Sequence, residues 1–121
     1  MTVKKICKIR NVYRAIAEFE SAFEKKHDLC LNEGMLLCTL ADIPEGVCSG
    51  DIAEKMGLTQ SNASKVIRSV EGKGLITRKI DGEDKRKMRF RLTVAGHKKL
   101  EGLSCGDIEM PDVLAGLLKE D

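Results

Sequence analysis

Four side chains, Ser61, Ser64, Lys65 and Arg68, recur at the three- and four-residue spacing that puts them on one face of a helix. Gln60 and Asn62 flank them, so hydroxyls and amides stand at the N-terminal end and long cations follow. These groups can donate to and accept from base edges in a DNA major groove, which admits an α-helix. A second set lies in "DGEDKRKMRFRLT", residues 81–93, where Lys85, Arg86 and Lys87 suit phosphate. An arginine on such a tip can enter a narrow minor groove, where the negative potential is strongest. Asp84, two residues before Arg86, is placed to brace that guanidinium.

The 121-residue chain carries a net charge of only +2, which by itself announces no nucleic-acid partner. Its distribution is more informative. From Ser64 to Arg91 there are ten basic residues against four acidic ones, a net of +6, while the rest carries eleven against fifteen, a net of −4. Positive charge is thus concentrated in about a quarter of the sequence, around the two sets just named.

The elements that must position these groups follow from periodicity and caps. Behind the outward face, Ala63, Val66, Ile67 and Val70 form an apolar stripe, predicting a helix from Gln60 to about Lys73 with Thr59 as its cap and Leu58 stapled on Ala63. Before it, "GDIAEKM" reads as a two-turn helix capped by Ser49, with Ile52, Ala53 and Met56 inward and Gly57 as its left-handed stop. Two helices joined by a tight glycine turn form a helix-turn-helix. Gly74 ends the second of them, and strands 75–80 and 88–92 make a hairpin in which Met88, Phe90 and Leu92 face inward and Arg89 and Arg91 outward. The hairpin's exposed turn is 82–87. Thr59, at the helix start, and Arg78, in the basic first strand, complete the expected DNA-contacting set.

Flanking segments are helical. Ile6, Ile9, Tyr13, Ile16, Phe19 and Phe23, with Val12 beside them, predict a first helix running to about Lys26 with an apolar arc wide enough for a partner subunit. Asn32 is placed to cap a helix packed through Leu36, Leu37 and Leu40, which "ADIPEG" ends, and Val47-Cys48 is a short loop or strand. Thr93 caps a helix to about Leu103 that "SCGD" breaks, and Val113, Leu114, Leu117 and Leu118 stripe a short helix within 111–120. The expected class is mainly α with a small β-hairpin, in one domain: a helix at 1–30, a lobe at 31–103 and a short C-terminal helix at 104–121.

Other chemistries find little support. "EGKG" lacks the earlier glycine of a phosphate-binding loop, and its lysine ends a helix instead of opening one. Two distant histidines and no Gly-x-Ser-x-Gly assemble no hydrolase triad, so no enzyme and no cofactor are expected. His27 and Cys30 have metal-compatible spacing, but two ligands do not make a site, and no metal is expected. Five cysteines without a CxxC pair argue for free thiols in a reducing compartment. With no apolar run near the roughly 20 residues that span a bilayer and no signal-peptide pattern at the N-terminus, a cytoplasmic location and no membrane partner are expected.

Taken together, the helix-turn-helix followed by "GLITRKIDGEDKRKMRFRLTVAG" resembles the winged helix-turn-helix of the MarR family of transcriptional regulators. Asp81, Asp84, Arg86, Leu92, Thr93 and Gly96 match the family's wing pattern, and Gly74 to Ile76 its helix-to-wing junction, the likeness extending from about Leu31 to Leu103. The resemblance implies a sequence-specific double-stranded DNA binder, a repressor by default. Its recognition helix would lie in the major groove and Arg86, supported by Asp84, in the minor groove. It also implies a homodimer through the terminal helices, although the C-terminus departs from the pattern by being shorter and broken at 104–107. A small-molecule effector pocket is implied without an identified ligand; Tyr13, His27 and the first helix are its candidate lining. Two alternatives stand beside this reading. One is a winged-helix module that binds protein, which would show exposed apolar anchors on the outward helix face. The other is a thiol-based redox sensor acting through Cys7, whose neighbours Lys4, Lys5, Lys8 and Arg10 favour the thiolate.

Overall fold

The structure is a computed structural model that describes residues 2–80, 82, 88–104 and 108–118. Its elements in chain order are α1 (Val3–His27), α2 (Leu31–Ala41), α3 (Ser49–Met56), α4 (Gln60–Gly72), β1 (Ile76–Ile80), β2 (Met88–Leu92), α5 (Val94–Ser104) and α6 (Asp112–Ala115). They divide into two compact units, one of residues 1–31 with 107–121 and one of residues 32–106. Among the described residues, no helix is long and apolar enough to cross a membrane.

In the larger unit, α3 stops at Gly57, whose φ of +67° is open to glycine without strain. The chain's next bond, from Leu58 N–H to the Ala53 carbonyl at 2.9 Å, closes the helix end. Only Gly57, Leu58 and Thr59 separate the two helices. Thr59 is extended and its Oγ1 accepts from Asn62 N–H at 3.1 Å, starting α4. Ile52 and Ala53 of α3, Ala63, Ile67 and Val70 of α4, and Leu36, Leu37 and Leu40 of α2 are all buried. The antiparallel hairpin pairs Ile76 with Leu92 and Arg78 with Phe90, completing a winged helix-turn-helix.

Val47 adds a single rung to the hairpin's edge, its N–H donating to the Phe90 carbonyl at 3.1 Å and its carbonyl accepting from Phe90 N–H at 2.8 Å. Of the short loop or strand expected at Val47-Cys48, Val47 makes an isolated bridge, and this moves the helix that follows. With Val47 held in the sheet, Cys48 is extended and its carbonyl already accepts from Ile52 N–H, so Ser49 lies inside α3 instead of capping it. Asn32 is likewise displaced. Helix α1 ends at Asp28 in the left-handed region (φ 55°) and α2 begins by Leu31, which puts Asn32 in the first turn.

The alternation in β2 gives the strand correctly but not a clean inside and outside. Phe90 is 5% exposed, Leu92 is half-buried and Met88 is 39% exposed, because Met88 pairs with Ile80 at the far end of the hairpin, beyond the lobe's core. Arg89 and Arg91 are half-buried on the other face. There Arg89 Nη1 donates to the Gly46 carbonyl at 3.1 Å, and a Cβ at Gly46 (φ +98°) would stand 3.0 Å from Arg89 Cβ and 3.2 Å from Arg91 Cγ.

Thr93 ties three elements together. Its N–H donates to the Leu75 carbonyl at 3.0 Å, its Oγ1 donates to the Gly74 carbonyl at 2.7 Å, and the same oxygen accepts from Gly96 N–H at 3.0 Å. One side chain therefore caps α5 and holds it to the junction between α4 and β1. Thr93→Val keeps the shape and removes both hydroxyl bonds, and is expected to cost about 1–2 kcal/mol, read as a lower urea midpoint at unchanged slope.

In the smaller unit, Thr2 caps α1 through Lys5 N–H, Asp28 ends it, and α6 packs against it. Ala15, Phe23, His27 and Leu114 are buried, while Val3, Ile6, Ile9, Tyr13 and Ile16 of α1 and Val113, Leu117 and Leu118 near the C-terminus are exposed. The predicted C-terminal helix is a single short piece, Asp112–Ala115, followed by turns through Leu118. Of the break predicted at 104–107, Ser104 ends α5 and residues 105–107 lie outside the described residues.

Candidate nucleic-acid interface

Helix α4 is amphipathic in the way its sequence demands. Ala63, Ile67 and Val70 are buried with Val66 half-buried, and on the other side Thr59, Gln60, Ser61, Asn62, Lys65 and Arg68 are exposed, with Ser64 half-buried. Lys65 and Arg68 make no ion pair among the described residues, so their charge is available to a ligand. The Thr59 hydroxyl oxygen is used by its cap, which leaves its O–H free to donate. No large apolar side chain is exposed on this face, the feature a protein-docking surface would need.

Two ionic arrangements hold α4 in place. Glu33 of α2 is buried, accepts from Ser69 Oγ at 2.8 Å, and pairs with Lys73 Nζ at 3.1 Å just past the C-terminal end of α4. Hydrogen bonds to a charged group contribute about 1.5–3 kcal/mol each, but taking the carboxylate out of water costs several, so the arrangement fixes register more than it adds stability. Sequence reasoning missed Glu33, although it falls on the same stripe as Leu36, Leu37 and Leu40. A charge on an inner stripe is the signal that a partner waits across the core.

The second arrangement involves Arg78, whose Nε and Nη2 donate to both carboxylate oxygens of Glu71 at 2.7 and 2.6 Å. The Arg78 hydrogen bond holds Glu71 below the usual carboxylate range, and Glu71 in turn raises Arg78 further above its ordinary value. Arg78 therefore differs from Lys65 and Arg68, with which it was grouped on composition. Of the remaining expected contacts, Asp84, Lys85, Arg86 and Lys87 lie outside the described residues.

Tyr13, His27 and Cys7 all lie on α1. Tyr13 is exposed and His27 is buried with its ring 4.9 Å from that of Phe23. Fourteen residues along one helix separate them by about 21 Å, so they do not line one cavity. The groove along α1 is instead lined by Asn11, Arg14, Ala15 and Glu18 against Pro111 to Val113, with a volume of about 230 Å³. No group of three or more candidate metal ligands occurs among the described residues, and Cys7 is half-buried on α1.

Comparison with known proteins follows the same lines. Residues 29–88 match the family model described as MarR family. The structure of MepR, a transcription regulator of the Staphylococcus aureus multidrug efflux pump MepA, superposes with a TM-score of 0.72 at 25% identity, over 99% of this chain and 87% of that one. MepR in its DNA complex gives 0.66 at 26% identity, over 80% and 79%. The transcriptional regulator SlyA gives 0.76 at 21% identity, over 93% and 80%, a likeness of fold. No curated protein matches the chain.

Proposed function

We propose that the chain, whose residues 29–88 match the MarR family model, is a member of that family and a sequence-specific double-stranded DNA-binding regulator whose α4 reads the major groove. The observation that carries this reading is the exposed face of Gln60, Ser61, Asn62, Lys65 and Arg68 on the second helix of a helix-turn-helix. MepR, similar over most of its length, is known in complex with DNA. Thr59 and Ser64 border the face and add hydroxyl donors.

The hairpin serves as a wing whose tip, 82–87, lies along the adjacent minor groove, with Lys85 and Lys87 on phosphates and Arg86, supported by Asp84, inserted between them. Two copies associate through the exposed apolar side chains of α1, Ile6, Ile9, Tyr13 and Ile16, and through the C-terminal segment. A two-fold dimer of this kind addresses two half-sites about one helical turn apart. Bound across a promoter, it represses by occlusion.

Selecting duplexes from a random pool, with the oligomeric state measured alongside, tests the reading. A pseudo-palindromic consensus is expected, with affinity falling by roughly 10³-fold or more between 50 and 200 mM salt. Binding that ignores salt, or no duplex binding at all, removes the DNA assignment and leaves a protein-docking role. Arg86→Ala is expected to weaken all duplexes alike by about tenfold and lower the salt slope by about one, measured by mobility shift. Parent-like binding at physiological salt overturns the wing assignment.

A further inference from the structure

The pleat sets Arg78, although it is exposed, on the same face as the buried Ile76. In β1, Ile76, Arg78 and Ile80 share one face, and the register sets Arg78 opposite Phe90. Ile76 and Phe90 are 3% and 5% exposed, so this is the covered face at the base of the hairpin. The Arg78 guanidinium carbon lies 5.4 Å from the Phe90 ring centroid, and one edge of the guanidinium is bound bidentately by Glu71. Glu71 belongs to the last turns of α4. The pair therefore joins the recognition helix to the hairpin, with Phe90 beneath it.

The hairpin has need of such a brace. Beyond Ile76, every residue of β1 is exposed, and two strands alone are at best marginally stable in water. An exposed ion pair contributes little to global stability, but a bidentate fork restricts direction as well as distance. If Arg78 were instead to leave Glu71 for a phosphate, one bidentate pair would be exchanged for another. The Glu71 carboxylate would then face the DNA backbone without its countercharge, so the exchange gains nothing.

We propose that Glu71 and Arg78 are positioning residues, a strut over Phe90 that sets the angle between α4 and the wing, and that Arg78 does not contact DNA. The strut itself stands on the geometry of this chain; its consequence for binding rests on the DNA-binding reading above.

Glu71→Gln separates the alternatives by sign. With a strut, it weakens duplex binding while the salt slope stays at the parent value, even though losing a negative charge would by itself favour DNA. With Arg78 as a phosphate ligand held back by Glu71, the same substitution strengthens binding and steepens the slope, and Arg78→Gln lowers the slope by about one. Either of those results overturns the proposal. The double variant is expected to bind like the single ones, since the two residues act as a unit, and additive losses overturn it as well.

Amide hydrogen exchange gives an arm that needs no DNA. Both single variants are expected to speed exchange across 76–80 and 88–92 by roughly two- to fivefold with the thermal midpoint nearly unchanged. Unchanged exchange means that the pair braces nothing. If the parent protein binds no duplex, the DNA reading fails while this arm still decides the strut.

Discussion

Gly96→Ala is expected to destabilise the winged lobe by roughly 3 kcal/mol, near the upper end of overpacking costs, and to lower its thermal midpoint by about 10 °C or more. A Cβ at Gly96 would overlap the Leu75 carbonyl oxygen and stand 3.1 Å from the Leu75 carbonyl carbon. The obstacle is backbone, so no rotamer change relieves it. Nor can Leu75 retreat at low cost, since its carbonyl accepts from Thr93 N–H and its N–H donates to Val70. A methyl at Gly96 therefore pushes α5 off the junction through which α4 enters the wing. Gly102→Ala in the same helix meets nothing within 4 Å and is expected to have the opposite sign, a gain of up to about 1 kcal/mol from helix propensity. Calorimetry on both variants checks the pair, and equal midpoints would refute the close-approach account.

The largest expected loss of function comes from Lys65→Ala with Arg68→Ala. Both side chains are exposed on the outer face of α4, and neither is paired among the described residues, so removing them leaves the core and the two ionic arrangements around α4 intact. Two lost DNA contacts at about 1–2 kcal/mol each predict a 30- to 1,000-fold drop in affinity, with a salt slope lower by about two if both meet phosphate. The thermal midpoint should move by no more than a few degrees, since surface changes away from special features lie within about 0.5 kcal/mol. Measuring mobility shifts across a salt series separates the two kinds of contact. A uniform loss over all sequences marks phosphate, whereas relaxed preference at one position marks a base edge. Undiminished affinity would mean that α4 is not the reading helix.

Much of the fold was legible because its signals are local. The Ala63, Ile67 and Val70 stripe, the glycine at 57, the Thr59 and Thr93 caps and the alternation at 88–92 each depend on residues a few positions apart, and each element lies where they predict. One such reading was displaced by a distant partner. Ser49 lost its cap because Val47 pairs with Phe90, more than forty residues away in sequence.

The candidate interface divides the same way. The exposure of Gln60, Ser61, Asn62, Lys65 and Arg68 is a matter of helical period, and a single element determines it. Arg78 was grouped with these residues because charge can be counted without knowing direction. Only the packed hairpin shows Phe90 beneath it and Glu71 across from it. Glu33 is a parallel case, its stripe readable and its partners Ser69 and Lys73 not.

By itself, then, the sequence determined the order of the elements, the composition of the exposed polar face of α4 and the need for glycine at the turn, all set by backbone preferences and short-range periodicity. Which charges are left for a ligand, and which are consumed in joining helix to hairpin, was decided only when residues 7 to 40 positions apart came within hydrogen-bond reach. An ion pair exists in space and not in composition, and tertiary structure alone makes that distinction.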